Sequence, residues 1–104
     1  MKYALPTDDG RTVGKVFGRA KSFAFYNDAD SSYVIVANEG AKAEHGAGTG
    51  AAAFLAEKGI NVLIAPEFGP KAEASLIAAG IHIKITDAGK DLGEAMADII
   101  ATLK

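Results

Sequence analysis

The first part of the chain alternates short apolar runs with polar turns. Three of these runs, 2–6, 22–27 and 32–38, have the length and the aromatic or β-branched content of strands. Only the polar cluster 28–31 separates the second run from the third. Because a parallel pair needs a crossover of about a dozen residues or more, these two strands are predicted to form an antiparallel hairpin.

From residue 39 onwards the pattern changes to alternating helices and strands. Segment 39–50 is rich in Gly, Ala and charged residues and is predicted to be a loop. A helix is predicted over 50–58, with Thr49 as its candidate N-cap. The next run, 60–65, is apolar almost throughout, which is typical of a strand buried on both faces.

Two further helices and one strand complete the pattern. Pro70 is suited to the first position of a helix that runs to Ala79. Residues 81–85 alternate strictly between apolar and polar, as a half-buried edge strand does. Asp91 and Glu94 have the spacing of a capping box on the last helix. The apolar stripe of that helix consists of Leu92, Met96, Ile99 and Leu103.

The order of these elements predicts an α/β fold with one domain over residues 1–104. A three-stranded meander is followed by two helical crossovers, which are right-handed in nearly all proteins. We therefore expect a five-stranded mixed sheet flanked by three helices. Its strand order is predicted to be 3-2-1-4-5, with the second strand antiparallel to the others.

Composition removes several classes of function. The chain has 104 residues, a formal net charge of −2 and no cysteine. The charge argues against nucleic acid as a partner, and the lack of cysteine excludes disulfides, thiol nucleophiles and Cys-ligated metal sites. No apolar run approaches the roughly 20 residues of a membrane span, and the N-terminus lacks the apolar stretch of a signal peptide. We therefore expect a cytoplasmic protein that does not act at a membrane.

The glycine-rich segment 46–50 is the most informative candidate site. Glycines let a backbone approach a ligand closely, and the free N–H groups at a helix start attract anions. With Ala51 and the later Glu67, the segment has the outline of a dinucleotide-binding fingerprint. In that fingerprint the first glycine follows its strand directly, whereas here a polar stretch separates Asn38 from Gly46. A loop that simply ends in a helix start remains the alternative interpretation.

Few side chains have the chemistry of a ligand or a catalyst. His45 precedes the glycines and is a candidate metal ligand, although a lone exposed histidine often has neither role. His82 lies in the predicted edge strand and is expected at the sheet surface. Arg19 belongs to a basic first segment and would suit an anionic ligand, or it is a solvated residue at a strand entry. No Ser–His–Asp arrangement is evident, so no enzymatic activity is predicted.

Three pieces of sequence, in order, are similar to a known family. They are Phe-Gly-Arg-Ala-Lys-Ser-Phe at 17–23, His-Gly-Ala-Gly-Thr-Gly at 45–50, and Gly-Ile-Asn-Val-Leu-Ile at 59–64, which leads to Gly-Pro-Lys-Ala at 69–72 and Ala-Gly-Ile at 79–81. Together they resemble the dinitrogenase iron–molybdenum cofactor biosynthesis family. The resemblance covers roughly residues 1–100 and implies a small cytoplasmic protein with a ribonuclease-H-like α/β fold.

The resemblance also implies a role in binding or carrying an iron–molybdenum–sulfur cofactor or a related metal–sulfur cluster, without catalysis. Proteins of cofactor assembly are the partners it implies. The expected site has His45 as the metal ligand and Arg19 as the charge partner. The full expected set of binding residues is Arg19, His45, Gly46, Gly48, Thr49, Gly50 and Gly69. Two alternatives stay open: a module that binds a nucleotide or phosphometabolite at the same helix start, and an interaction domain without a small ligand.

Overall fold

The computed structural model describes residues 1–29, 32–42 and 47–103. The strands are β1 (Lys2–Thr7), β2 (Ser22–Asn27), β3 (Ser32–Ala37), β4 (Val62–Ala65) and β5 (His82–Ile85). The α-helices are α1 (Ala47–Glu57), α2 (Pro70–Ala78) and α3 (Leu92–Leu103), and a short 3-10 helix spans Glu39–Lys42.

The strands form one sheet in the order β3-β2-β1-β4-β5. β2 runs antiparallel to both β1 and β3, while β4 is parallel to β1 and to β5. The predicted five-stranded mixed sheet, its strand order and the direction of its second strand are therefore confirmed. The ribonuclease-H-like label stays a prediction.

Helices cover both faces of the sheet. α1 and α2 pack side by side on one face, and α3 covers the other. β4 is buried along its whole length because its side chains alternate between these two layers. The first layer is built around Phe17, Phe23, Leu55, Leu63 and Leu76. The second is built around Leu5, Val62, Ile64, Leu92 and Met96.

The start of α1 differs from the prediction. The helix begins at Ala47, so Thr49 lies inside its first turn and its assignment as N-cap is wrong. Part of the predicted loop 39–50 is also the 3-10 helix, which packs closely against α1. Residues 43–46 of that loop lie outside the described residues. Glycine and threonine are weak helix formers, and here tertiary packing overrides their propensity.

Two strands begin later than predicted because their first expected residues close the preceding helix. The N–H of Ile60 donates to the Leu55 carbonyl at 3.1 Å, and the N–H of Ile81 donates to the Leu76 carbonyl at 2.9 Å. In both cases the intervening glycine has a positive φ. These are helix C-terminal motifs, which the apolar pattern alone does not separate from the strands that follow.

The predicted helix starts at Pro70 and Asp91 are confirmed. Pro70 is in the first turn of α2, and the Asp91 carboxylate accepts the Glu94 N–H at 3.1 Å. Within the described ranges, no helix has both the length and the apolar content required to cross a bilayer.

Candidate functional site

The predicted site residues that the structure describes belong to one end of the sheet. β1, β3, β4 and β5 point the same way, since β3 is antiparallel to β2 and β2 is antiparallel to β1. We call the end at which these four strands finish the carboxyl end. The connection 8–21, the start of α1 and the segment 66–69 all follow strands that finish there. In open α/β sheets, ligands bind beyond this end, where neighbouring connections diverge.

The connections diverge between β1 and β4. The chain leaves β1 towards β2 on one side, and it leaves β4 through α2 towards β5 on the other side. Arg19 lies in the first of these connections, and Gly69 lies in the second. The topology thus places Arg19 and Gly69 on the two sides of this divergence.

The first turn of α1 contains three of the expected binding residues, Gly48, Thr49 and Gly50. The first four N–H groups of an α-helix have no acceptor within the helix, and the helix dipole favours negative charge there. The first turn of α1 contains no acidic side chain. This helix start therefore has the chemistry of an anion site.

A close backbone contact fixes the position of this helix start. A Cβ on Gly40 would lie 2.5 Å from the carbonyl carbon of Gly50 and 2.6 Å from the Ala51 Cα. Only a glycine at position 40 allows the 3-10 helix to approach α1 this closely. Gly50, expected as a binding residue, thus has a packing role as well.

A buried asparagine holds the segment that contains Arg19. Asn38 directly follows β3, and its side-chain amide donates to the carbonyls of Gly18 at 3.2 Å and Ala20 at 3.0 Å. Its backbone N–H donates to the Lys21 carbonyl at 3.0 Å. Arg19 itself is exposed, between the buried residues Gly18 and Ala20. The backbone that carries Arg19 is therefore anchored while its side chain faces solvent.

Sequence reasoning did not single out Asn38. The available signal was a polar residue placed directly after an apolar strand, at the end of the sheet where ligands bind. Asn38 is only 6% exposed, and among the described residues its Oδ1 has no hydrogen-bond partner. Buried amide oxygens usually accept a hydrogen bond, so the unsatisfied Oδ1 sets Asn38 apart from the other buried polar groups that the structure describes.

Gly69 leaves the start of α2 open to an approaching ligand. It is the N-cap residue, with extended backbone angles, and within the described part of the chain no side chain caps this helix. An added Cβ on Gly69 would meet no described atom within 4 Å. Two exposed carboxylates, Glu67 and Glu73, stand near this helix start and oppose the binding of an anion.

The α3 side of the carboxyl end is acidic. The Asp9 carboxylate accepts bonds from the Arg11 and Thr12 N–H groups and the Thr12 hydroxyl, each at 2.8 Å. The two backbone bonds are the main cause that lowers the pKa of Asp9 from 3.8 to about 2. Thr12 also pairs with Asp91 at the start of α3, so the segments that carry Asp9 and Asp91 are neighbours. These carboxylates oppose an anionic ligand at their own positions, although the exposed Arg11 and Lys15 lie in the same connection.

Of the two histidines, only His82 belongs to the described residues. His45 and Gly46 lie outside the described residues, so their assignment stays a prediction. His82 is the first residue of β5 and is exposed, which places it at the amino end of the sheet, away from the site. Within ranges 1–29, 32–42 and 47–103, no three His, Cys, Asp or Glu side chains are arranged to hold a metal ion.

The dinucleotide-binding alternative departs from its usual geometry. In that motif a tight glycine turn joins the strand directly to the helix. Here the 3-10 helix Glu39–Lys42 stands between β3 and α1. The start of α1 can still attract an anion. The connection from β3 to α1, however, does not have the geometry of the dinucleotide-binding turn.

Comparison with known proteins identifies relatives over nearly the whole chain. The sequence model of the family described as dinitrogenase iron-molybdenum cofactor matches residues 1–102. An uncharacterised protein of Methanocaldococcus jannaschii is 34% identical over 86 residues, which cover 80% of this chain and 72% of that protein.

Solved structures also match nearly the whole chain. The apo form of the orange protein from Desulfovibrio gigas has a TM-score of 0.89 and 30% identity, and the match covers 97% of this chain and 88% of that one. A candidate NifB protein from Thermotoga has a TM-score of 0.79 and 29% identity, with 96% and 87% covered. Both structures share the arrangement of sheet and helices described above.

Proposed function

Because this chain belongs to the dinitrogenase iron-molybdenum cofactor family, we propose that it is a non-enzymatic carrier of a metal–sulfur cluster. The cargo is an iron–molybdenum–sulfur cluster or a related one, bound at the carboxyl end of the sheet. The carrier acts in the cytoplasm and exchanges its cargo with proteins of cofactor assembly. An apo form is the ligand-free state of a protein that binds a ligand, and the description of the Desulfovibrio gigas relative supports a binding role here.

The observation that carries this proposal is that Arg19 and the start of α1, whose first turn has no acidic side chain, lie at the same end of the sheet. Metal–sulfur clusters carry negative charge because they contain sulfide. A helix start and a guanidinium group both stabilise a negatively charged ligand. The open backbone at Gly69 leaves room for a bulky ligand beside the start of α2.

The missing cysteines shape how such a cluster is held. Iron–sulfur clusters that reside permanently in proteins are held by thiolates, which this chain lacks. The available metal ligand beside the glycines is the imidazole of His45, with backbone N–H groups and Arg19 offsetting the charge of the cluster. Few covalent ligands suit a protein that accepts a preassembled cluster and gives it up again.

The test is titration of the protein with isolated iron-molybdenum cofactor, without oxygen, followed by visible absorbance. Wild type should bind saturably. Arg19→Ala should weaken binding by about tenfold or more, since a charge-assisted contact contributes about 1.5–3 kcal/mol. His45→Ala should also weaken binding strongly, because it removes the proposed metal ligand. Only the Arg19 effect should shrink as salt is added.

Two control variants separate the site from general effects of charge and histidine. Lys2→Ala removes the same charge as Arg19→Ala but at the amino end of the sheet, and His82→Ala removes the histidine that lies away from the site. Both should bind like wild type. If His45→Ala binds the cofactor as tightly as wild type, His45 is not the metal ligand. Saturable thermal stabilisation by ATP or inorganic phosphate, without cofactor binding, would instead support the phosphometabolite alternative.

A further inference from the structure

In the described part of the chain, no strand pairs with the outer edge of β3. Natural edge strands are usually shielded by charged residues, proline, bulges or short length. β3 has six residues, Ser-Tyr-Val-Ile-Val-Ala, with no charge and no proline. Its register with β2 runs without interruption from Ser22↔Ala37 to Asn27↔Ser32. β5, the opposite edge strand, has four residues and contains His82 and Lys84.

The side chains along β3 are also unusually exposed for their type. Tyr33, Val34 and Ile35 are 53%, 59% and 42% exposed. Tyr33 and Ile35 lie on the α3 face of the sheet, and Val34 lies on the α1 face, as their partners on β2 show. Both faces of this strand are therefore apolar and open to solvent.

The hydrogen bonds around β2 show which backbone groups of β3 face outwards. The Asn38 N–H donates to the Lys21 carbonyl, so Asn38 faces β2. In an antiparallel ladder the direction alternates with each residue, so Val34 and Val36 also face β2. The N–H and C=O groups of Tyr33, Ile35 and Ala37 consequently point away from the sheet, towards solvent.

We propose that β3 pairs antiparallel with β3 of a second copy of this chain, about a two-fold axis at Ile35. Because this axis is perpendicular to the sheet, the α1 faces of both copies lie on one side of the joined sheet and the α3 faces lie on the other. With Ile35 opposite Ile35 of the second copy, Tyr33 lies opposite Ala37, and all three outward-facing residues of each strand form hydrogen-bonded pairs. This register makes about six N–H···O bonds and places Val34 beside Val36 of the second copy.

Self-pairing is favoured because the strand is complementary to itself. The same three outward-facing residues are satisfied on both copies, and no charged side chain lies in the paired segment. The two five-stranded sheets become one continuous ten-stranded sheet. A strand of this length is only about 20 Å long, so the contact lies at the small end of specific interfaces and the dimer is expected to be weak.

Sedimentation at rising protein concentration tests the dimer. Wild type should change from monomer to dimer between about 10 μM and 1 mM. Ile35→Lys and Ile35→Glu should each stay monomeric, because like charges would face each other across the axis. An equimolar mixture of these two variants should recover the dimer. Ile85→Lys, an exposed substitution on the opposite edge strand, should dimerise like wild type.

A single cysteine tests the register, since the chain has no other thiol. In a hydrogen-bonded antiparallel pair the Cα atoms are about 5.5 Å apart, within disulfide range. With oxidised glutathione as the oxidant, Ile35→Cys should form a covalent dimer. Tyr33→Cys should not, because the two thiols would be about 14 Å apart along the strands. A wild type that is monomeric throughout, or a Tyr33→Cys variant that cross-links in place of Ile35→Cys, would overturn the proposal.

Discussion

At the scale of single residues, Asn38 links the framework of the fold to the proposed site. Its amide group satisfies two buried carbonyls in the segment that carries Arg19. Removing a buried hydrogen-bond partner leaves the remaining groups unsatisfied, which costs more free energy than the bond itself contributes. The position of Arg19 therefore depends on a side chain that points away from solvent.

We predict that Asn38→Ala lowers the free energy of unfolding by about 1–3 kcal/mol. Asn61→Ala is the matched control, because Asn61 is exposed and its side-chain Oδ1 accepts one hydrogen bond, from the Lys2 N–H. It should cost less than about 1 kcal/mol. Urea denaturation of both variants measures the difference. Equal losses for the two variants would mean that the Gly18 and Ala20 carbonyls find other partners, and Asn38 would lose this role.

At the scale of elements, the site depends on how closely the 3-10 helix approaches α1. Gly40 faces the backbone of Gly50 and Ala51 without room for a Cβ. Backbone atoms cannot move aside as the end of a flexible side chain can. Any side chain at position 40 must therefore separate the two helices and displace the start of α1.

We predict that Gly40→Ala destabilises the protein by about 1–3 kcal/mol, the usual cost of overpacking. Gly69→Ala is the control, since its surroundings are open and its φ of −76° suits any residue. It should cost less than about 1 kcal/mol, because alanine is a poorer N-cap than glycine but reduces the freedom of the unfolded chain. Thermal unfolding compares the two. If Gly69→Ala leaves the fold intact but weakens cofactor binding, the ligand approaches the bare backbone at α2.

The sequence predicted elements better than it predicted contacts between them. The order and type of every strand and α-helix followed from apolar periodicity and turn residues, because these signals are local. The ends of elements did not, since Ile60 and Ile81 are apolar whether they begin a strand or close a helix. The 3-10 helix and the anchoring role of Asn38 also stayed hidden, because both depend on partners distant in the sequence.

At the scale of the whole molecule, the sheet separates two surfaces with different chemistry. Its carboxyl end gathers glycines, helix starts and Arg19, while the outer edge of β3 offers apolar side chains and outward-facing backbone. A ligand at the first surface and a second copy at the second would not compete for the same groups. The two proposals can therefore be tested in one protein and can fail independently.

Amide hydrogen exchange across the whole chain makes this separation measurable. Adding isolated iron-molybdenum cofactor at a low protein concentration should slow exchange at 18–21, at 47–50 and at Gly69, Lys71 and Ala72, where the proposed site lies. The amino end of the sheet, at 57–61 and 80–82, should not change. Raising the protein concentration without cofactor should instead slow exchange at Tyr33, Ile35 and Ala37, whose N–H groups face outwards. Cofactor-dependent protection at the amino end would place the ligand elsewhere, and protection of Val34 in place of Ile35 would contradict the strand register.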